Sequence, residues 1–244
     1  MNCSVKYGSR SIPYVMNVSN RKRLRIIVKP DLSVHANAPQ EFTGDEIMEA
    51  VQSKAKWIAR QIDAFRDYHP YPTPHQYISG ETFVYLGRQY RLKVIEGPMV
   101  PAKLRGKFLN LAVENKEDRE AIKKSLDSWY RSRADEVFNK YLSVSLKVAK
   151  RHGVKTKPKL MIRDMRTRWG SCSNSGRVTL NLKLIQAPVH CIEYVIMHEL
   201  CHLVHLNHSS EFYNLLNVCM PDWKKRKKIL KRVTFPLNEN LPKT

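Results

Sequence analysis

The chain has 244 residues, 42% of them hydrophobic and 27% charged, a composition ordinary for a globular protein with one large core or two small ones. No run approaches the roughly eighteen apolar residues of a membrane span, and the N-terminus lacks a secretory apolar stretch, so a cytoplasmic protein without membrane association is expected. The net charge of +21 points instead to polyanionic partners, nucleic acid above all. Five scattered cysteines, Cys3, Cys172, Cys191, Cys201 and Cys219, lack C-x-x-C spacing and argue against a disulfide framework or a four-cysteine zinc.

In chain order, residues 12 to 38 read as β structure broken by turns at Ser19-Asn20 and Pro30-Asp31. The basic run Arg21, Lys22, Arg23 and Arg25 reads as a charged strand edge. Thr43 to Phe65 reads as one helix, opened by a capping box of Thr43 with Glu46. Its stripe of Ile47, Val51, Ile58, Ile62 and Phe65 is core, with Trp57 beside it. Residues 68 to 76, rich in proline, read as an irregular connection whose His69 and His75 have no metal-ligand spacing. Residues 83 to 95 form a hairpin turning at Gly87-Arg88, and 107 to 113 add a strand. Residues 1–114 are thus expected to be a β-rich region with one helix, and 115–244 a second, catalytic domain.

That second domain opens with a long helix over about 117 to 152, closed by Gly153. Residues 158 to 185 read as strand, turn at Asn174-Ser175-Gly176, and strand. The second strand, VTLNLKLI, leads almost directly into the segment described next. It is the expected edge on which a peptide backbone would pair, with Arg166, Arg168 and Trp169 lining the cleft.

Residues 187 to 213, APVHCIEYVIMHELCHLVHLNHSSEFY, hold the chemistry. Pro188 fits a helix start, and the following apolar residues describe a buried helix. His198 and His202, at i and i+4, share one face, the spacing that gives two adjacent ligands to a zinc ion. Glu199 can reach a metal-bound water without ligating. The helix is expected to end near Leu206-Asn207, with Ser209 or Ser210 and Glu211 starting the next. His208 on that turn is the expected third ligand, in preference to His205, which is too high on a straight helix, and to Glu211. Three ligands leave a vertex for water, the catalytic arrangement. After Pro221 a helical stretch carries Lys224, Lys225, Arg226, Lys227, Lys228, Lys231 and Arg232 without acids to pair at i,i+4, a candidate phosphate-contacting patch.

The combination of RTRWGSCS, GRVTLNLKLI, HELCHLVHLNHSSEFY and PDWKKRKKIL resembles the YgjP-like metallopeptidase family over roughly residues 160 to 232. The ligand layout at i, i+4 and i+10 is similar to that of SprT-like and WLM proteases. The resemblance implies an α+β fold with a zincin-like minimal metalloprotease core. It also implies zinc held by His198, His202 and His208, and Glu199 as catalytic base. Several of the relatives cleave proteins crosslinked to DNA. His205 stands where related metzincins have glycine.

The expected function is zinc-dependent hydrolysis of peptide bonds through a metal-bound water activated by Glu199, acting on protein or peptide substrates that include nucleic-acid-associated proteins. Tyr213, Arg168 and His205 are the candidate oxyanion stabilisers. The alternatives are a basic nucleic-acid-binding module with a structural zinc, and a zinc hydrolase of a non-peptide amide.

Overall fold

A computed structural model describes residues 2–29, 31–66, 75–165, 168–231 and 233. These form two compact units, one holding the described residues up to 66 and the other those from 75 onward. The expected boundary after 114 falls inside the second unit.

In the first unit, β1 (Asn2–Tyr7), β2 (Arg10–Val18), β3 (Arg25–Val28) and β4 (Val34–Ala38) make one sheet in the order β1-β2-β4-β3, with β2 and β4 parallel. β1 was not expected from the sequence. Arg21, Lys22 and Arg23 precede β3 rather than opening it. Two helices follow, α1 (Gly44–Ser53) and α2 (Ala55–Arg66). The capping box forms as the sequence indicates, Thr43 and Glu46 each bonding the other's backbone N–H. The single expected helix is broken at Lys54, which leaves helical geometry at φ −100° and ψ 4° with neither proline nor glycine to signal it. Ile47, Val51, Ile58 and Ile62 bury against Val5, Ile12, Tyr14 and Val34, whereas Trp57 stays exposed.

The second unit starts with β5 (Thr82–Tyr85), β6 (Arg88–Glu96), β7 (Val100–Arg105) and β8 (Phe108–Val113), in the order β5-β6-β8-β7 with β6 and β8 parallel. This is the strand wiring of the first sheet again. The β5–β6 turn is Leu86-Gly87, one residue earlier than expected, and both residues have positive φ, as a two-residue hairpin loop requires. α3 (Arg119–Lys150) packs on this sheet, and Tyr130 donates to the Val84 carbonyl at 2.8 Å.

Then come β9 (Lys159–Arg163), β10 (Gly170–Cys172) and β11 (Arg177–Asn181), ordered β10-β11-β9. VTLNLKLI is strand only as far as Asn181. That residue's Oδ1 accepts from Lys183 N at 3.1 Å and turns the chain into a 3-10 segment, Leu182–Gln186. β11 is therefore central and cannot be the expected substrate edge; the edges are β9 and β10, and of these β10 carries the cavity-lining residues.

α4 (Val189–Cys201), α5 (Ser210–Cys219) and α6 (Trp223–Leu230) complete the unit. α4 touches α3, α5, α6 and β10, and its apolar residues are almost wholly buried. Its start is pinned by the β5–β6 hairpin: Leu86 N bonds Ile185 O, Gly87 N bonds Gln186 O, and a Cβ on Gly87 would lie 2.7 Å from Pro188 Cγ.

The architecture is α+β, with α4 at the centre of the second unit's core. No helix among the described residues is long and apolar enough to cross a membrane. All five cysteines are free. The connection at 68 to 76 falls mostly outside the described residues, as do His69, Arg166, Arg232 and the side chain of Phe65.

Candidate active site

α4 ends at Cys201, earlier than expected, and His202 caps it while keeping helical dihedrals, so its ring stays on the face of His198. A tight last turn follows, with Leu203 N bonding Leu200 O and His205 N bonding Cys201 O. The chain then reverses, and Ser209 caps α5 by accepting from Phe212 N. This reversal brings His208 back over α4. The ligand-capable nitrogens of His198, His202 and His208 lie within 4.8 Å of one another, and Nε2 of His208 is 3.0 Å from Nε2 of His198.

Two details set these rings for a cation. His202 Nδ1 lies 3.0 Å from the His205 carbonyl oxygen. A carbonyl can only accept, so Nδ1 carries the proton and Nε2 presents a lone pair. Burial, helped by the neighbouring imidazoles, pushes His198 down to about 3, and His208 is lowered for the same leading reason. Neutral imidazoles are the metal-binding form. Phe212, fully buried, lies against all three rings with centroid distances of 4.5 to 5.0 Å and forms their floor.

Glu199 is 4% exposed, the only buried carboxylate among the described residues, and its Oε2 has no hydrogen-bond partner. Burial pushes its carboxyl up to about 8, while the Arg168 guanidinium pulls the other way. Gly170 lies against it: a Cβ there would sit 2.6 Å from Oε1. The rings, Glu199 and the β10 edge face one cavity of about 670 Å³, whose wall includes Arg168, Ser171, Tyr194 and Asn207.

The family described as YgjP-like, metallopeptidase domain, matches residues 22–233. The chain belongs to the YgjP-like metallopeptidase family. The structure of the metallopeptidase zymogen abylysin from Pyrococcus abyssi is similar at 23% identity and a TM-score of 0.36, over 43% of this chain and 98% of that one. No curated protein matches.

In this YgjP-like metallopeptidase the other candidate residues separate. Arg168 is on the cavity wall. Tyr213 is behind His208, stacked between it and Trp223, and not on that wall. His205 contributes its backbone oxygen to His202. On α6 Lys224, Lys225 and Lys228 are exposed, as is Lys231 just after it, but Arg226 is not free to meet phosphate. It bonds both Asp222 oxygens at 2.9 Å, as well as Glu193 and the His190 carbonyl, and so ties α6 to α4. Asp222, just ahead of the helix, is an acid at i,i+4 to Arg226, so this stretch has an acidic partner where none was expected. Lys227 is half-buried, its ammonium held below the usual range first by burial and then by Lys231.

Sequence reasoning missed Gly170, Asn181, Tyr194 and Phe212. A lone glycine in a short strand signals close approach, and Tyr194, one turn before His198, shares its helical face. Asn181 is 0% exposed and donates to the carbonyls of Met165 (2.8 Å) and Arg168 (3.0 Å), which anchors the segment presenting Arg168.

Proposed function

We propose that the site is that of a zinc peptidase, with His198, His202 and His208 holding the ion and Glu199 moving the proton. The observation that carries this is the convergence of three imidazoles beside a buried, unpartnered carboxylate. The donor set fits the group: nitrogen ligands, one with its tautomer fixed from behind, and no fourth protein donor in the cluster among the described residues. When bound, zinc would polarise the scissile carbonyl and acidify water toward a pKa of about 7.

The chain's own residues do the rest. Glu199 takes a proton from the attacking water and hands it to the leaving amine. Gly170 leaves room for that carboxylate, and the free edge of β10 receives the substrate backbone as an added strand. Arg168 is the best-placed of the three candidates to meet the developing oxyanion; Tyr213 and His205 support the imidazoles from outside the cavity.

A second reading, action on nucleic-acid-associated proteins within the cytoplasm, draws on the +21 charge and the exposed Lys224, Lys225, Lys228 and Lys231. It requires cleavage that DNA accelerates and salt weakens.

The test is metal analysis alongside casein cleavage, for wild type and Glu199→Gln. About one zinc per chain in both, with turnover lower by orders of magnitude in the variant, is the expected result. Undiminished cleavage by Glu199→Gln defeats the assigned role, and a zinc-loaded wild type that cleaves no peptide favours a structural or non-peptidase site.

A further inference from the structure

The two sheets share one wiring, but their outward faces differ. In the first unit several outward polar groups pair with each other: Asn17 Nδ2 donates to Asn37 Oδ1 at 3.1 Å, and Ser33 Oγ lies 3.1 Å from His35 Nε2. In the β5-β6-β8-β7 sheet the inward positions Phe83, Leu92, Leu109 and Leu111 are buried, so alternate positions face out.

The strand register sorts those outward residues into rows. Arg91 pairs with Phe108, which pairs with Arg105. Two residues along, Lys93 pairs with Asn110, which pairs with Lys103. Ideal spacings put the rows about 7 Å apart and the cations of one row about 10 Å apart. All four cations are exposed, and among the described residues none forms an ion pair. Neither row contains an acid. Phe108, 46% exposed, stands between two arginines.

An aromatic at the start of an inner strand, flanked by unpaired cations, complements a flexible polyanion that carries flat rings. A duplex would engage the cations and leave Phe108 idle. We infer that this face binds single-stranded nucleic acid, with a base stacked on Phe108, phosphates on Arg91, Lys93, Lys103 and Arg105, and Asn110 within reach of a base edge. The site belongs to a different sheet from the catalytic cleft and stands without the peptidase reading.

The experiment is fluorescence anisotropy of the full chain with a labelled oligothymidylate, a duplex of equal length, and vesicles of phosphatidylserine and phosphatidylcholine. Phe108→Ala should weaken oligothymidylate binding about tenfold and duplex binding less than about twofold, and Phe108→Trp should restore it. Lys93→Glu with Lys103→Glu should also weaken binding and flatten its salt dependence by about 0.7 per lost phosphate contact. Phe108 is exposed, so an unchanged thermal melt accompanies these effects. Unaltered oligonucleotide affinity in Phe108→Ala overturns the inference. So does binding lost only on replacing Lys224, Lys225 and Lys228, and so does a wild type that takes up vesicles but no oligonucleotide.

Discussion

Gly170 lies so close to Glu199 that any side chain at 170 must displace the carboxylate, since a Cβ would come within 2.8 Å of Cγ as well as 2.6 Å of Oε1. On the proposed roles, Gly170→Ala should keep its metal, because the three imidazoles are untouched, yet lose about 10²-fold or more in kcat/KM, the scale of a misplaced general base. Metal content and cleavage rate measured on one preparation decide it. A variant with wild-type turnover would show that Glu199 tolerates the shift.

Asn181 is buried without solvent to replace its partners. Asn181→Leu would orphan the Met165 and Arg168 carbonyls and the Lys183 amide, and should cost about 3 kcal/mol in urea unfolding. Asn181→Asp keeps the acceptor for Lys183 but loses both donations, so it should be destabilised too.

Stability should carry an acid-side dependence that runs through Glu81. Its carboxylate bonds His75 Nδ1 at 2.7 Å and the amides of Gln76 and Tyr77 at 3.1 and 2.7 Å. Burial alone would raise this carboxyl, but those hydrogen bonds outweigh it and hold it below the ordinary range. A depressed folded pKa means the stabilisation is complete above the unfolded value of about 4.3 and drains away as pH falls through the lower folded one. Glu81→Gln should cost about 1.5 kcal/mol at pH 7 and progressively less on acidification. Parallel pH profiles for variant and wild type would exclude the effect.

The cations of α6 should divide by role. Arg226→Ala breaks the ties to Asp222, Glu193 and His190 and should destabilise by about 2 kcal/mol. Lys224→Ala, Lys225→Ala and Lys228→Ala should each stay within about 0.5 kcal/mol. Thermal melts of the four variants, compared side by side, separate the two groups.

What the sequence made legible was local. His198, Glu199 and His202 are set by helical periodicity, the α1 cap by two residues three apart, and the 202–209 reversal by residues next to one another. What escaped depends on distant packing. Gly170 and Glu199 meet across 29 positions, and Phe212 forms a floor only after the chain has turned back. β7 carries Pro101, which reads as a breaker but is tolerated because β7 lies at the edge of its sheet. The VTLNLKLI pattern stays apolar beyond Asn181 while its backbone changes form, so alternation alone could not locate the strand end.

The ring of His202 is aimed by a main-chain oxygen, so the amino acid chosen at 205 matters little to that aim. A side-chain change there that keeps the backbone N–H bonded to Cys201 O leaves that aim intact. A change in loop length between 202 and 208 does not, because a deletion would pull the guiding peptide plane and the third imidazole out of place together.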